Sequence, residues 1–250
     1  MSSVRIGGTN LYRVRPWPSP TVTRAFNWVT DGRGNIRGND RGASQDIYES
    51  TITVADTENN VNSLLTVLST SRESVVFDQF AAPIFAPNVD HTSSITCAVD
   101  AGKRKMVYHG SGSYDVYEVE LKLRAISPPL LTPTPSLSGL RVQEQKDAGH
   151  SWGLARNFFQ NGLQAYSESR NDSGQFTPSF VQGTAATQAA LAYFLVTARA
   201  APFTLPSFGA DYPFGPARGG GPFSVRLADF RVSRENLNRW RLDCDFREVA

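Results

Sequence analysis

The segment Asn60–Leu68, NVNSLLTVL, carries a hydrophobic pattern that returns in the segment Ala190–Ala198, ALAYFLVTA. In the first segment, four apolar residues stand at the spacings i, i+3, i+4 and i+7 counted from Val61. In the second segment, the same spacings are counted from Leu191. Because residues at these spacings lie on one side of an α-helix, both segments are predicted to form amphipathic helices, the second over Thr184–Arg199.

The sequence on either side of the two helices follows a common order. A predicted strand precedes each helix, Ile47–Val54 in the first half and Phe176–Val181 in the second. Each half then closes on a strand whose apolar and charged residues alternate, Tyr117–Ala125 and Arg239–Arg247. Such alternation is typical of an antiparallel sheet with one covered face. We therefore predict a mainly β protein with α (α+β), made of tandem duplicated β-sandwich or barrel domains that are each flanked by one helix.

The segment Ser127–Ser138, SPPLLTPTPSLS, separates the two halves. Residues that precede proline are held extended, so this segment is predicted to be a semi-rigid spacer. The resulting division places a first domain at residues 1–126, a proline-rich linker at 127–139 and a second domain at 140–250.

Local patterns predict further elements. Pro178 predicts that the strand before the second helix is bulged or lies at the edge of its sheet. Asp56 or Thr57 is predicted to cap the first helix, and Thr184 the second. The segment Gln164–Gly174 is predicted to be a polar loop. Other strands are predicted within residues 4–14 and at Ala25–Thr30, Val75–Phe77, Ile95–Val99, Met106–Tyr108 and Phe223–Ala228.

The composition argues against a highly charged, disulfide-rich, membrane-spanning or secreted protein. The chain has 250 residues, of which 40% are hydrophobic and 19% charged, and its formal net charge is +2. So small a net charge gives no overall attraction to nucleic acid or to cationic partners. Cys97 and Cys244 are too few for a disulfide framework and are predicted to be free, half-buried side chains. The sequence has no apolar run of membrane-spanning length and no hydrophobic secretory signal, so we expect it to fold in the cytoplasm.

The glycine-rich segment Asp31–Gly42 is predicted to be an exposed loop. Arg33, Arg37 and Arg41 recur in it every four residues. One interpretation is a flexible basic arm that binds phosphate or, in preference, an acidic protein surface. The other interpretation is a solvated hairpin loop. The three arginines are therefore the candidate interface residues.

The pentapeptide Gly149–Gly153 matches the G-x-S-x-G pattern of hydrolase nucleophiles around Ser151. That pattern requires a strained turn between a buried strand and a helix. Here a polar and charged segment precedes the pentapeptide, and no histidine follows His150. We therefore do not assign Ser151 as a nucleophile.

Other chemically capable side chains form no recognisable site. The spacing of His91, Cys97 and His109 fits no compact zinc pattern. Glu118 and Glu120 stand on the exposed face of a predicted strand, where no pocket surrounds them for acid–base work. We predict a protein that is not an enzyme, with no catalytic residue, metal or cofactor.

The order of these elements resembles that of tailed-phage tube-type proteins, in which a small β-sandwich is flanked by one helix. More narrowly, the second half resembles the lambda-type minor tail protein M family of tail-tip proteins. The segments that carry this resemblance are Thr184–Arg199, Pro202–Pro206 (PFTLP), Phe223–Phe230 and Asn238–Val249 (NRWRLDCDFREV). A fainter copy runs through Ile47–Phe77 and Tyr114–Ile126 in the first half.

The resemblance implies two tube-like domains and a structural virion protein of the tail tip, assembled in the host cytoplasm. It implies a distal tail or baseplate ring that continues the tail tube and joins it to the hub or fibres. A trimer with two domains per chain would form a pseudo-hexameric ring, and a hexamer is the alternative. The implied partners are other copies of the chain and the tail tube, hub and tape-measure proteins. DNA would only pass through the lumen, without sequence readout.

A second functional interpretation is a carbohydrate- or receptor-binding β-sandwich module. Such a module would display exposed aromatic side chains on a rim, for example Trp17, Tyr212 and Phe214. Assembly into rings would favour the tail protein over this alternative.

Overall fold

The structure is a computed structural model of the chain. It describes residues 2–8, 10–15, 18–24, 26–30, 36–42, 45–71, 74–78, 80, 83–109, 115–158, 164–199, 201–205, 222–236 and 238–249. For residues 2, 26–30, 36–40, 144–158 and 164–174 it describes the backbone alone. Within these residues the chain is mainly β, with two short α-helices.

The described elements before the proline-rich segment are β1 (Ser2–Ile6), β2 (Asn10–Val14), β3 (Ser19–Thr23), β4 (Phe26–Thr30), β5 (Ile36–Asp40), β6 (Ile47–Thr57), α1 (Glu58–Thr70), β7 (Val75–Asp78), β8 (Ile95–Ala101), β9 (Lys105–Tyr108) and β10 (Val116–Ala125). Those after it are β11 (Val142–Phe158), β12 (Gln164–Gly183), α2 (Thr184–Ala192), β13 (Phe203–Leu205), β14 (Phe223–Arg234) and β15 (Arg239–Glu248). A π-helical segment, Tyr193–Thr197, directly continues α2.

The first sheet is antiparallel and has the strand order β3–β6–β2–β1–β7–β8–β10–β9. Because β10 also pairs with β6, the strands β6, β2, β1, β7, β8 and β10 close into a barrel. The inward residues of β10 are buried, as predicted, and Glu120, Lys122 and Arg124 on its other face are exposed. β4 and β5 pair with each other in a separate hairpin.

The second sheet is also antiparallel and has the order β11–β12–β15–β14–β13. Its last strand alternates as predicted: Trp240, Leu242, Cys244 and Phe246 are buried. These side chains form the inner face of the sheet, against which the second helix packs.

The two sheets share an order of four strands around a helix. In the first sheet, β6 precedes α1 and β7 follows it, and the strand order is β6–β10–β8–β7. In the second sheet, β12 precedes α2 and β13 follows it, and the strand order is β12–β15–β14–β13. In each half, therefore, the helix connects the two outer strands of a four-stranded antiparallel unit.

The apolar stripe predicted for the first helix faces the core. Val61 and Leu64 are fully buried, and the helix contacts β6, β8 and β10. Its N-cap residue is Thr57, whose side chain makes no capping hydrogen bond. The Asp56 carboxylate instead accepts hydrogen bonds from the Thr57 N–H at 2.8 Å and from Asn60 Nδ2 at 3.0 Å. The negative charge beside the helix N-terminus interacts favourably with the helix dipole.

The second helix differs from its prediction in two respects. Its apolar stripe is buried as predicted, but the α-helix ends at Ala192 rather than Arg199. The chain then widens into the π-helical segment, in which the Ala198 N–H donates to the Tyr193 carbonyl at 2.8 Å. Thr184 is also not the cap, because Gly183 occupies that position. The Thr184 hydroxyl instead accepts a hydrogen bond from Trp240 Nε1 at 3.3 Å.

Three strand predictions are corrected or refined. Residues 4–14 form two strands, β1 and β2, because Gly7 and Gly8 turn the chain with φ angles of 66° and 82°. The predicted polar loop Gln164–Gly174 is wrong, because these residues belong to β12 and pair with β11. β12 is an interior strand, so the edge position is also wrong, but the pairing of β11 shifts opposite Pro178, as a bulge requires.

The proline-rich segment contacts both halves of the chain. Its Pro129 carbonyl accepts a hydrogen bond from the Asp90 N–H at 2.8 Å. Further along, the Ser136 N–H donates to the Ala189 carbonyl of α2 at 3.1 Å. The segment is thus held against the first half near its start and against the second helix near its end. The division into two domains at this segment stays a prediction.

Candidate assembly interface

The three candidate arginines do not share one loop. Arg37 lies on β5, where it pairs with Val29 of β4, so the loop prediction is wrong for Ile36–Asp40. Arg41 follows β5 and is exposed, whereas Arg33 lies outside the described residues. Ile36 alone is apolar in β5, so the sequence lacks the alternation that would have revealed the strand.

An ion pair joins the two halves. Arg199, just after the π-helical segment, forms two hydrogen bonds to Asp46, just before β6: Nη1 to Oδ2 at 2.7 Å and Nη2 to Oδ1 at 2.8 Å. The side chains are only 11% and 2% exposed. Arg24 adds hydrogen bonds to the carbonyls of Arg199 at 3.1 Å and of Leu227 at 2.7 Å. Bidentate hydrogen bonds between a guanidinium and a carboxylate are shorter and stronger than those between uncharged groups.

A loop of the first half makes two more hydrogen bonds to the second half. The Pro83 carbonyl accepts from Arg234 Nη1 at 3.1 Å. The Pro87 carbonyl accepts from Gln188 Nε2, on α2, at 2.8 Å. With the ion pair, these bonds fix the two sheets against each other.

Tyr48 lies on β6 near the ion pair. Its hydroxyl accepts a hydrogen bond from Asn88 Nδ2 at 3.0 Å. Burial raises the pKa of Tyr48 to about 12. The phenol is therefore uncharged at neutral pH.

His91 follows Pro83 and Pro87 in the same loop of the first half. Its Nε2 accepts a hydrogen bond from the Phe85 N–H at 3.1 Å, which requires an unprotonated nitrogen. Its ring contacts Phe80 edge-on and stacks beside Phe85, with centroid distances of 5.3 and 6.4 Å. Burial lowers the pKa of His91 from 6.5 to about 4. The imidazole is thus a neutral structural acceptor at pH 7.

Cys97 and Cys244 are free, as predicted, but they are fully buried rather than half-buried. Burial raises the pKa of Cys97 to about 12 and raises that of Cys244 well above its ordinary value. Both side chains are therefore thiols rather than reactive thiolates. Among the residues that the structure describes, no cluster of histidine, cysteine or acidic side chains is placed to hold a metal.

The pentapeptide Gly149–Gly153 lies inside β11, where its residues pair with the 169–175 part of β12. An extended strand does not provide the turn between strand and helix that a nucleophile elbow requires. The local backbone therefore gives Ser151 no nucleophile geometry.

The charged face of the second sheet is internally paired. Arg241 Nη2 donates to the Ser179 hydroxyl and Arg241 Nε to the Asp243 carboxylate, both at 3.0 Å. Farther along β15, Arg247 pairs with Asp245 at 2.9 Å. These pairs neutralise part of the charge on the described portion of this face.

The edge strands among the described ones are β3 and β9 in the first sheet, β11 and β13 in the second, and β4 and β5 in the hairpin. Every residue of β9 is exposed. The far part of β12 also lacks a described neighbour on one side, because β15 pairs with β12 only from Gln175 to Gly183. Beyond that point β11 and β12 pair with each other alone, as a two-stranded ribbon of residues 149–158 and 164–174. Sequence reasoning missed the ribbon because its serine- and asparagine-rich residues carry no hydrophobic period.

The aromatic residues named for a glycan-binding rim, Trp17, Tyr212 and Phe214, lie outside the described residues. No described helix is both long and apolar enough to cross a membrane. The sequence matches no model of a known protein family. No curated protein is significantly similar to it.

Proposed function

We propose that the protein is a structural subunit of a phage tail tip: a distal tail or baseplate ring that continues the tail tube and connects it to the hub or fibres. The observation that carries the proposal is the recurrence of one unit, four antiparallel strands with a helix joining the outer two, in both halves of the chain. The resemblance to tube-type proteins implies a small β-sandwich flanked by one helix in each half, and the recurring unit supports that expectation.

The recurrence supports a tandem duplication of a tube-like domain. With two such units per chain, a trimer presents six units around its axis, which matches a six-fold tube on one face and a three-fold tip on the other. A hexamer would instead use one unit of each chain for the tube contact. The polar contacts between the halves support this function, because a ring subunit must keep its units in a fixed relative orientation.

The chemistry of the described residues agrees with a structural role. The buried thiols and the neutral His91 are held by packing and hydrogen bonds rather than displayed in a cleft. In this proposal Arg33, Arg37 and Arg41 belong to a contact with a neighbouring tail protein, and DNA passes through the lumen without readout of its sequence.

Negative-stain electron microscopy of the purified protein tests the proposal. We expect rings with a central opening, of three-fold or six-fold symmetry, or short stacks of such rings. Particles without an opening at every concentration, together with specific binding on a glycan array, would replace the ring subunit with the glycan-binding module.

A further inference from the structure

The two four-stranded units correspond in the register of their strands. The N-cap residues of the helices, Thr57 and Gly183, lie opposite Val116 of β10 and Arg239 of β15. Counted from these caps, the pairing of β6 with β10 and that of β12 with β15 end after the same number of residues. The last pairs are Glu49–Arg124 in the first half and Gln175–Arg247 in the second. Positions of one unit can therefore be assigned to positions of the other.

The strand on the other side of β10 corresponds to β14. Since β6 pairs along one side of β10, β8 and β9 both lie along its other side, one after the other. In the second half, β14 alone occupies that side of β15. The Ile126 N–H donates to the Thr96 carbonyl at 2.8 Å, and at the corresponding place the Val249 N–H donates to the Ser224 carbonyl at 2.9 Å. β9 therefore corresponds to the C-terminal end of β14.

An arginine lies over an aromatic ring at the same place in both units. The Arg104 guanidinium is 4.5 Å from the ring centroid of Tyr117, and that of Arg234 is 5.7 Å from the ring centroid of Trp240. Tyr117 and Trp240 correspond, because each directly follows the residue that lies opposite the helix cap. Arg104 also donates to the Glu58 carboxylate of α1 at 3.1 Å. The two units thus share a side-chain contact as well as a pattern of backbone pairing.

The first half of the chain covers β14. β3 packs against β14, and Arg24, directly after β3, donates to the Leu227 carbonyl at 2.7 Å. Arg234, at the end of β14, donates to the Pro83 carbonyl at 3.1 Å. The corresponding segment of the first half, residues 101–108, is exposed at every position, and β9 pairs with no described strand except β10. A surface that is covered in one unit is therefore open in the other.

β3, which provides this cover, also has a counterpart. It pairs with the beginning of β6 on the side away from β10, and β11 pairs with β12 on the side away from β15. The corresponding pairs are Pro20–Ser50 with Ala148–Phe176, and Thr23–Ile47 with Ser151–Ser173. Residues 148–151 of β11 therefore have the position in the second unit that residues 20–23 of β3 have in the first. β11 ends its sheet, so no described strand lies on its outer side.

We propose that residues 148–151 of one copy pack against residues 101–108 of the next copy, as β3 packs against β14 within the chain. In a trimer the two kinds of unit alternate, and the ring closes when each unit meets the next through the same kind of contact. The contact of β3 with β14 joins the units of one chain, and the proposed contact joins the chains. Among the edge strands β11 is chosen because it is the counterpart of β3. The proposal rests on the proposed ring function and names the surfaces that form the ring.

Photo-cross-linking tests which strand meets residues 101–108. A copy with a benzophenone side chain at Lys105 is co-expressed with a differently tagged copy that keeps Lys105, and the peptides joined after illumination are identified by mass spectrometry. Trypsin releases residues 147–156 as one peptide, because it cleaves after Lys146 and Arg156. We expect at least a tenfold excess of cross-links in this peptide over those in the peptides of the other edge strands. A larger yield in any of those peptides would overturn the proposal.

The control places the benzophenone at Leu11, a side chain that is 52% exposed on β2. It should give no excess of the peptide of residues 147–156. Equal yields of that peptide from Lys105 and from Leu11 would also overturn the proposal.

A substitution separates this inference from the function on which it rests. Met106 lies opposite Tyr117 as Arg234 lies opposite Trp240, so Met106 and Arg234 correspond. Met106→Asp therefore places a carboxylate where Arg234 donates to the neighbouring unit, and it should shift the assembly to monomers. Leu11→Asp is the matched control and should assemble like the wild type. Rings that survive Met106→Asp would overturn the proposed contact and leave the ring function standing, whereas a wild-type protein that never assembles would overturn both.

Discussion

Arg199 and Asp46 form a bidentate ion pair between the two halves of the chain, with N–O distances of 2.7 and 2.8 Å. Arg199 comes from the segment after the second helix, and Asp46 precedes the first strand of the repeated unit. The pair has little contact with water, since the side chains are 11% and 2% exposed. It is one of several contacts between the halves, with the hydrogen bonds of Arg234 and Gln188 and the packing of β3 against β14.

Arg199→Met should destabilise the protein strongly, because it leaves the Asp46 carboxylate buried without its guanidinium. Loss of one partner of a buried pair typically costs about 3–5 kcal/mol of unfolding free energy. Urea unfolding followed by tryptophan fluorescence measures the change. Arg15→Met is the control, because the Arg15 side chain is 58% exposed although its partner Glu118 is only 18% exposed, and a pair that is open to water on one side contributes less than a fully buried one. Equal effects of the two variants would show that the ion pair does not hold the halves together.

His91 should make the folded protein sensitive to acid. The folded chain keeps the imidazole neutral down to a pKa of about 4, whereas in the unfolded chain it takes up a proton near pH 6.5. The free energy of unfolding should therefore fall as the pH is lowered from 6.5 towards 4, by up to about 3 kcal/mol from this group.

His91→Gln removes the titrating group and keeps a side chain that can accept the hydrogen bond from the Phe85 N–H. Its unfolding free energy should vary less between these two pH values than that of the wild type. His109→Gln, which removes an imidazole that is 77% exposed, is the control and should keep the steeper dependence. Parallel pH profiles of His91→Gln and the wild type would contradict the assignment.

Gly7 and Gly8 provide a matched pair of substitutions at one turn. Both have positive φ, so alanine is strained at either position, at a cost of about 1–2 kcal/mol. At Gly7 an added Cβ would also lie 2.6 Å from Val67 Cγ1 of α1, whereas at Gly8 nothing lies within 4 Å. Gly7→Ala should therefore lower the melting temperature more than Gly8→Ala. Adding Val67→Ala should recover part of the difference in the Gly7→Ala background only, and no recovery would exclude the clash.

Phe194 should be the most sensitive position of the second helix region. It is fully buried and packs against Phe230 and Phe246, with ring centroids 5.9 and 6.1 Å away. Phe194→Ala removes these contacts and should cost about 3–5 kcal/mol of unfolding free energy. Val196→Ala, in the same π-helical segment but 70% exposed, should change it by about 0.5 kcal/mol or less. Similar losses in both variants would contradict the packing direction of this segment.

Sequence reasoning succeeded where burial of one face repeats apolar residues at a regular spacing. The stripe of α1 and the alternation of β10 and β15 were predictable because one face of each element packs on a core. It failed for strands that pair through their backbones but have no face packed on a core. The ribbon of β11 and β12 and the strand β5 leave no hydrophobic period in the sequence, and the widening of α2 into a π-helical segment keeps the predicted stripe buried and so leaves no separate signal. The ion pair of Arg199 with Asp46 was also beyond reach, because only the fold brings these distant residues together.

The most direct test of the proposed function is the mass of the purified protein in solution, measured by light scattering over a range of concentrations. The account predicts particles of three or six times the chain mass of 27.4 kDa. Which multiple is found also decides whether both units of each chain, or only one, face the tube. A mass of 27.4 kDa at every concentration, with or without added tail-tube subunits, would contradict the ring and with it the tail-tip function.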